Sequence, residues 1–291
     1  MLRRVRSGEL VSPHRGLFAE RMYWSGLDAS QRVLHIIRGL SLLRPTWVFA
    51  GPSAAAIHGY EHQWSIHNMG IYIADTVNGA SRNASTRINR IYMPSIPMVW
   101  VDGVRTTTPE RTLLDCGMLL PFRNALPIFD SAFRRDGIES DTVRKLIARL
   151  HRSSVPIERL LTYVDPASEN GGESLARGTM IEEGFAIPSI QQIIANPQDS
   201  SEWYRADFAW SLPNHRLIVA EYDGMAKYIE PSMTSRRSIK AVVNKQNYRE
   251  QRLRALGVSD IVRFDFDDVI QVAPMASRLL SAGVPLYPRR F

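Results

Sequence analysis

Apolar residues along the chain fall into two spacings. Between Asp28 and Leu43, Val33, Ile36, Ile37 and Leu40 recur at the three-to-four interval of an amphipathic helix, which Pro45 ends. A shorter helix is predicted over Ser53–His58, stopped by Gly59. Thr108 caps a further helix whose first position is Pro109, where the missing N–H costs nothing. Asn124–Arg134 and Ser140–Leu150 also read as helices. Strand-type runs stand at Gly70–Ile73, Asn89–Tyr92 and Val99–Val101, and two short ones, Glu9–Ser12 and Gly16–Ala19, flank a turn at Pro13–Arg15.

The clearest order comes after the turn-rich stretch Asp165-Pro166-Ala167-Ser168. A helix over Gly172–Glu183 is followed by strands at Ile190–Ala195, Tyr204–Trp210 and Arg216–Tyr222. A long helix over Ser235–Leu256, a strand at Asp260–Phe264 and a last helix at Pro274–Ser281 complete it. The order αβββαβ predicts a mixed sheet with helices on both faces, and the fold class is α/β in the mixed α+β sense. Three regions follow: 1–25, a basic hairpin; 26–163, a mixed α/β middle; and 164–291, the αβββαβ core.

Composition narrows the classes. The chain has 291 residues, 44% hydrophobic and 22% charged, which excludes a disordered tail or a coiled coil. No apolar run reaches the roughly 20 residues of a membrane span, and the basic start has no apolar stretch behind it, so it is not a secretory signal. A single cysteine, Cys116, excludes a disulfide framework and fits a reducing cytoplasm. There are 36 Lys and Arg against 29 acids. The excess gathers in the long helix, where Arg236, Arg237, Lys240, Lys245, Arg249, Arg252 and Arg254 face one acid, Glu250. Such a stripe suits a phosphate backbone, although a solvated helix face has the same composition.

Three acids stand out. Glu173 opens the first helix of the third region. Asp207 lies within Tyr204-Arg205-Ala206-Asp207-Phe208-Ala209-Trp210, and Glu221 ends Leu217-Ile218-Val219-Ala220-Glu221, followed by Asp223 and Lys227. A carboxylate in so apolar a strand is costly unless something offsets it. The loop Ser211–His215 joins the two strands, so hairpin pairing brings Asp207 and Glu221 side by side, where they repel unless a cation or hydrogen bonds intervene. Two such carboxylates are a minimal site for magnesium, which keeps several waters and binds phosphate oxygens. Each acid also has a plainer structural reading. Glu173 three residues after Asn170 matches a capping box, Asp207 could pair with Arg205 or Arg216, Glu221 could be a solvated strand end, and Asp223-Gly224 is a turn signal.

These segments carry a family resemblance. Gly171-Gly172-Glu173-Ser174-Leu175-Ala176-Arg177, Ala206-Asp207-Phe208, Val219-Ala220-Glu221-Tyr222-Asp223-Gly224, the run Tyr248–Gly257 and Ile261-Val262-Arg263-Phe264 resemble the very-short-patch-repair-like branch of PD-(D/E)XK endonucleases, over roughly residues 168–270. Arg6-Ser7-Gly8-Glu9-Leu10-Val11 with Arg15-Gly16-Leu17-Phe18 resembles the wing of the winged helix in AbiE-type type IV antitoxin regulators. Ala54–Gly59 and Thr106–Asp115 resemble their middle region.

The resemblance implies a restriction-endonuclease-like third region with Asp207 and Glu221 as ligands of Mg2+ or Mn2+, and Glu173 as an auxiliary acid. The pattern expects lysine two residues after Glu221, where this chain has Asp223. Lys227, Lys245 or Arg249 is then left to supply that charge, and Gln246 to contact phosphate or a metal-bound water. The implied activity is metal-assisted hydrolysis of DNA phosphodiesters by a cytoplasmic endonuclease, with Arg236, Arg237, Lys240, Lys245, Gln246 and Arg249 on the DNA. The alternative is a non-enzymatic antitoxin-like regulator that uses the nuclease fold as a DNA-binding scaffold. A toxin or a second copy of the chain is a further partner to expect, or the chain is only a toxin-neutralising partner without DNA affinity.

Other signals carry less. His58-Gly59-Tyr60-Glu61-His62 matches the inverted zinc-protease pattern, but Gly59 breaks the helix on which both histidines would have to lie. His67 reads as a loop or surface residue, Cys116 as a small core residue, and Arg111 with Asp115 as an i, i+4 pair. No nucleotide-binding glycine motif is present, so no nucleotide cofactor is expected.

Overall fold

The computed structural model describes residues 1–77, 87–149, 154–224 and 236–287; the side chains of residues 214, 236–243 and 245 lie outside that description. Lys227 is outside the described residues altogether. The chain divides into two compact units, Met1–Pro166 and Ala167–Phe291. Among the described residues no helix is long and apolar enough to cross a membrane.

The first unit opens with helix α1 (Leu2–Arg6), an antiparallel hairpin of β1 (Leu10–His14) and β2 (Leu17–Glu20), and α2 (Arg21–Gly26). Helix α3 (Ala29–Leu43) starts at a true capping box: Asp28 accepts the Gln31 N–H at 2.8 Å, and the Gln31 side chain accepts the Asp28 N–H at 3.0 Å. Leu17 of the hairpin packs on this unit's core, where it comes so close to Gly39 that a Cβ there would meet it at 2.9 Å.

Helix α4 (Gly51–His58) ends at Gly59 with φ 72°, the left-handed cap that glycine adopts without strain. Strands β3 (Ile71–Asp75) and β4 (Ile88–Tyr92) pair in parallel, and β5 (Met98–Val101) and β6 (Val104–Thr107) pair antiparallel. Phe49, fully buried, bridges to both Ile73 and Thr106. Helices α5 (Pro109–Leu119), α6 (Phe122–Asp136), α7 (Ser140–Ile147) and α8 (Val155–Tyr163) complete the unit. Thr108 caps α5 as its position predicts. The helix α2, the strand β6 and the helix α8 are additions to the sequence-based expectation.

The second unit has α9 (Gly171–Glu182), β7 (Ser189–Asn196), β8 (Asp199–Ser211), β9 (Leu217–Asp223), α10 (Arg236–Ala255), β10 (Val258–Asp265), α11 (Phe266–Gln271) and α12 (Ala273–Ser281). Its element order is the αβββαβ expected, ending in the expected last helix, α12, with α11 an addition between them. The four strands form one mixed sheet in the order β10-β9-β8-β7. β7, β8 and β9 are successive antiparallel neighbours, and β10 returns parallel to β9 after the α10 crossover.

Each sheet face has its own apolar cluster. Phe208, Trp210, Ile218, Ala220, Val262 and Phe264 pack with Leu175 and Met180 of α9, Val269 of α11 and Met275 and Leu279 of α12. Ala209, Val219 and Val258 pack with Leu253 of α10. The alternation Phe208/Trp210 against Ala209 is the period of a strand covered on both sides.

Candidate functional site

The β8–β9 ladder is registered by Ser211↔Leu217 at the turn and runs to Phe208↔Ala220. Asp207 and Glu221 are the next residues beyond this last registered pair. The strands part here, and the Asp207 Oδ2 accepts the backbone N–H of Tyr222 at 2.8 Å. The Asp207 carboxyl is raised above the usual carboxylate range, first by burial and then by the negative charge of Glu221, with the Tyr222 N–H opposing both. The adjacency expected from the hairpin is therefore present. Arg205 pairs instead with Glu169 at 2.5 Å and Arg216 with Asp260 at 2.9 Å, so the plainer pairings considered for Asp207 are taken elsewhere.

Glu173 is buried at 5% exposure at the start of α9. Asn170 caps the helix by accepting the N–H groups of Gly172 and Glu173, both at 3.0 Å. The Glu173 carboxylate does not bond the cap's own N–H. It accepts the Glu169 N–H at 3.0 Å, the Asn170 side-chain amide at 2.5 Å and the Gln191 amide at 2.8 Å. Burial pushes Glu173 up to about 7, and the charge of nearby Asp207 adds to the shift.

Gln191 sits between the Ile190–Phe208 and Gln192–Ala206 pairs with φ 51°, a left-handed conformation that costs a non-glycine residue about 1 kcal/mol or more. Its Oε1 is buried with no hydrogen-bond partner. Tyr222 fixes the other side: its ring lies against Gly172 so closely that a Cβ there would meet ring atoms at 2.3–2.5 Å.

Glu221 is held by two guanidinium groups. Arg249 of α10 reaches its Oε1 from Nε at 3.1 Å and Nη2 at 2.6 Å, and Arg263 of β10 reaches its Oε2 from Nη1 at 3.0 Å. The geometry follows from elements already placed. Arg249 lies one helical turn before Leu253, which packs on Val219, two residues before Glu221. Arg263 is the parallel-register partner of Glu221. It also lies 3.6 Å from Asp223 Oδ2 and donates from Nε to Glu250 at 3.1 Å. Arg249 further donates to the Arg205 carbonyl at 2.7 Å, and its guanidinium carbon lies 5.7 Å from the centre of the Tyr204 ring.

Of the residues singled out from sequence, Glu173, Asp207, Glu221, Asp223 and Arg249 converge, and Gln246 lies one turn before Arg249 on α10. Arg236, Arg237, Lys240 and Lys245 are in α10, but their side chains are not described. Arg263, Glu250 and Gln191 are additions. Arg263 carries a sequence signal, being a base in a strand flanked by Val262 and Phe264. Gln191 carries none, because a left-handed glutamine leaves no compositional trace.

The donor chemistry suits a hard cation. Asp207 and Glu221 offer carboxylate oxygens, and magnesium is often held by only one or two carboxylates with waters completing the shell. Among the described residues no group of three or more His, Cys, Asp and Glu side chains is placed to hold a metal on its own. Both Glu221 oxygens meet arginine nitrogens, so a cation there has to displace guanidinium groups.

The histidine pattern of the first unit is not a ligand set. His58 closes α4 and its Nε2 meets the Thr107 carbonyl at 2.8 Å, while Glu61 pairs with Arg134 at 3.1 Å. His67, expected at the surface, is buried at 8% exposure: it belongs to a 3-10 turn, Trp64–Met69, that folds its ring against Trp64 and His62. Cys116 is fully buried and burial raises its thiol well above the ordinary value, as a core residue requires. Arg111 and Asp115 form the expected buried pair at 2.9 Å.

The chain is similar to two uncharacterized proteins of Mycobacterium tuberculosis, MT2308 in strain CDC 1551 / Oshkosh and Rv2248 in strain H37Rv. Each is 29% identical over 187 residues, which cover 62% of this chain and 64% of the relative, so the match spans less than two thirds of the relatives' length. No family model and no solved structure matches the chain.

Proposed function

We propose that the second unit is a PD-(D/E)XK-type, restriction-endonuclease-like domain, and that the chain is a metal-dependent endonuclease acting on DNA phosphodiester bonds. One observation carries this reading: Asp207 and Glu221 lie just beyond the last registered pair of β8 and β9, near enough for the charge of Glu221 to raise the Asp207 carboxyl, and the charge of Asp207 in turn raises the buried Glu173. The αβββαβ order and the basic composition of α10 support it. Asp207 and Glu221 would hold Mg2+ or Mn2+, which when bound polarises a phosphoryl oxygen and lowers the pKa of a bound water. Glu173, fixed by Glu169 and Gln191, keeps a carboxyl oriented beside that pair. Arg249, with Lys240 and Lys245 on the same helix, would hold the strand by its phosphates, largely without reading sequence. Asp223 stands where the pattern has lysine, and among the described side chains Arg263 and Arg249 are the cations that meet Glu221 in its place.

A second reading has its own observation. Arg249 and Arg263 already neutralise Glu221, as a scaffold without metal would require. On that reading the chain is an antitoxin-like, non-catalytic DNA-binding regulator.

Incubating plasmid and single-stranded DNA with the chain, with and without magnesium and beside Asp207→Ala, tests the first reading. Magnesium-dependent cleavage by the wild type alone is expected; equal cleavage by both proteins removes the site. Calorimetry with Mn2+ separates the two readings, because the regulator binds DNA in a salt-sensitive manner that chelators do not alter.

A further inference from the structure

We propose that Arg249 and Arg263 form an anion-operated gate on Glu221, so that nucleic-acid phosphate and divalent cation bind with positive coupling; this rests on the endonuclease reading above.

Glu221 is only 12% exposed at its side chain, and each of its two oxygens meets a different arginine, Oε1 with Arg249 and Oε2 with Arg263. A divalent cation needs those same oxygens at about 2.0–2.6 Å. It cannot take them while two guanidinium groups stand against them, for reasons of both space and like charge. The guanidinium fork binds carboxylate and phosphate by the same bidentate geometry, so a phosphodiester is the natural group to draw an arginine away from a carboxylate.

The two arginines are arranged unequally for such an exchange. Arg263 is a fixed element: it lies in β10, in register with Glu221, and is held by Glu250 at 3.1 Å with Asp223 3.6 Å away. Turning from Glu221 leaves it anchored to two acids beside the carboxylate pair. Arg249 sits on α10, the helix with the basic composition, and is more exposed, at 34% of its side chain against 20% for Arg263. Of the two, Arg249 is therefore the one more open to a strand lying along α10. Asp223 thereby acquires a purpose that a lysine at that position could not serve, since it gives Arg263 a second carboxylate to rest against when Glu221 is given up. In the loaded state the same two guanidiniums face the phosphate and supply the positive charge that the lysine of the pattern would bring.

The linkage is reciprocal, so DNA must raise metal affinity by the same factor that metal raises DNA affinity. The test is calorimetric titration of Ca2+ into the full chain, alone and saturated with a 12-base-pair DNA duplex, for the wild type and for Arg263→Gln. The expected result is at least tenfold tighter Ca2+ binding with the duplex in the wild type. Arg263→Gln should bind Ca2+ more tightly than the wild type in the absence of DNA, and its coupling should shrink. If Arg263→Gln does not fold, Arg249→Gln, which leaves the β10 anchor in place, takes the same arm. Equal Ca2+ affinity with and without duplex in the wild type overturns the gate while leaving the endonuclease reading standing. Absence of Ca2+ binding in every arm, with chelator-indifferent duplex binding, overturns both.

Discussion

Lowering the pH from 7.5 to 5 acts on a buried histidine pair in the first unit whose proton positions are set by its neighbours. His62 Nδ1 lies 2.6 Å from the Tyr60 carbonyl, which can only accept, so His62 carries its proton there. Its Nε2 is then the acceptor for His67 Nε2–H, 2.9 Å away, and His67 Nδ1 is left as a buried lone pair without a partner. A proton on His62 Nε2 would set two N–H groups head to head. A proton on His67 Nδ1 would bury a donor with no acceptor. Burial pushes His62 down to about 4, and burial with the neighbouring His62 pushes His67 down to about 3. Unfolded imidazoles titrate near 6.5, so the stability these residues contribute is complete above about 6.5 and is lost as pH falls toward the folded values. At pH 5 each unfolded imidazole is about 97% protonated while the folded pair is nearly neutral, which costs about 2 kcal/mol per histidine and about 4 kcal/mol for the pair. With an m-value of about 2 kcal/mol/M, the urea midpoint falls by about 2 M over this range. The measurement is urea unfolding by circular dichroism and tryptophan fluorescence at both pH values, for the wild type and for His67→Leu. Groups common to both proteins cancel, including His58, which burial also lowers. The variant should lose about half of the pair's share of the pH dependence, about 2 kcal/mol. Identical pH dependence in the two proteins refutes the reasoning.

Three further outcomes follow from the packing. Gly172→Ala drives a methyl group into the Tyr222 ring, so it should destabilise the second unit by about 1–3 kcal/mol in urea unfolding; it should also weaken any DNA cleavage, because Tyr222 donates to Asp207. Arg111→Ala leaves Asp115 buried at 3% exposure without its guanidinium and should cost about 3–5 kcal/mol, read as a drop in the thermal midpoint. Gly70→Ala should be poorly tolerated, with little folded protein recovered on expression, since Gly70 has φ 105° and a Cβ would meet the Arg87 carbonyl oxygen at 2.2 Å.

How much of this was legible in the sequence depends on the range over which each feature is decided. The helix over Ala29–Leu43 and the strands of the second unit follow from local periodicity. Segments that escaped have a broken or short pattern: Arg21–Gly26 is a six-residue helix, Val104–Thr107 buries two threonines, Val155–Tyr163 has a proline at its second position, and Phe266–Gln271 directly abuts the strand before it. Within the site, the nearness of Asp207 to Glu221 was readable because a hairpin is registered by its own turn. Ser211 and Leu217 close it, and the two acids lie four residues further out on either side. The pairing of Glu221 with Arg263 was not readable, since a parallel register is set by how a 20-residue helix packs across the sheet and no spacing rule passes through it. What the sequence does hold is a symmetrical demand. Asp207 drew notice because a carboxylate between Ala206 and Phe208 needs compensation; Arg263 stands between Val262 and Phe264 and needs it equally. A search for buried acids alone therefore finds Asp207 and overlooks the guanidinium that the chain itself brings to Glu221, and the second demand, applied with the first, points from either strand to the other.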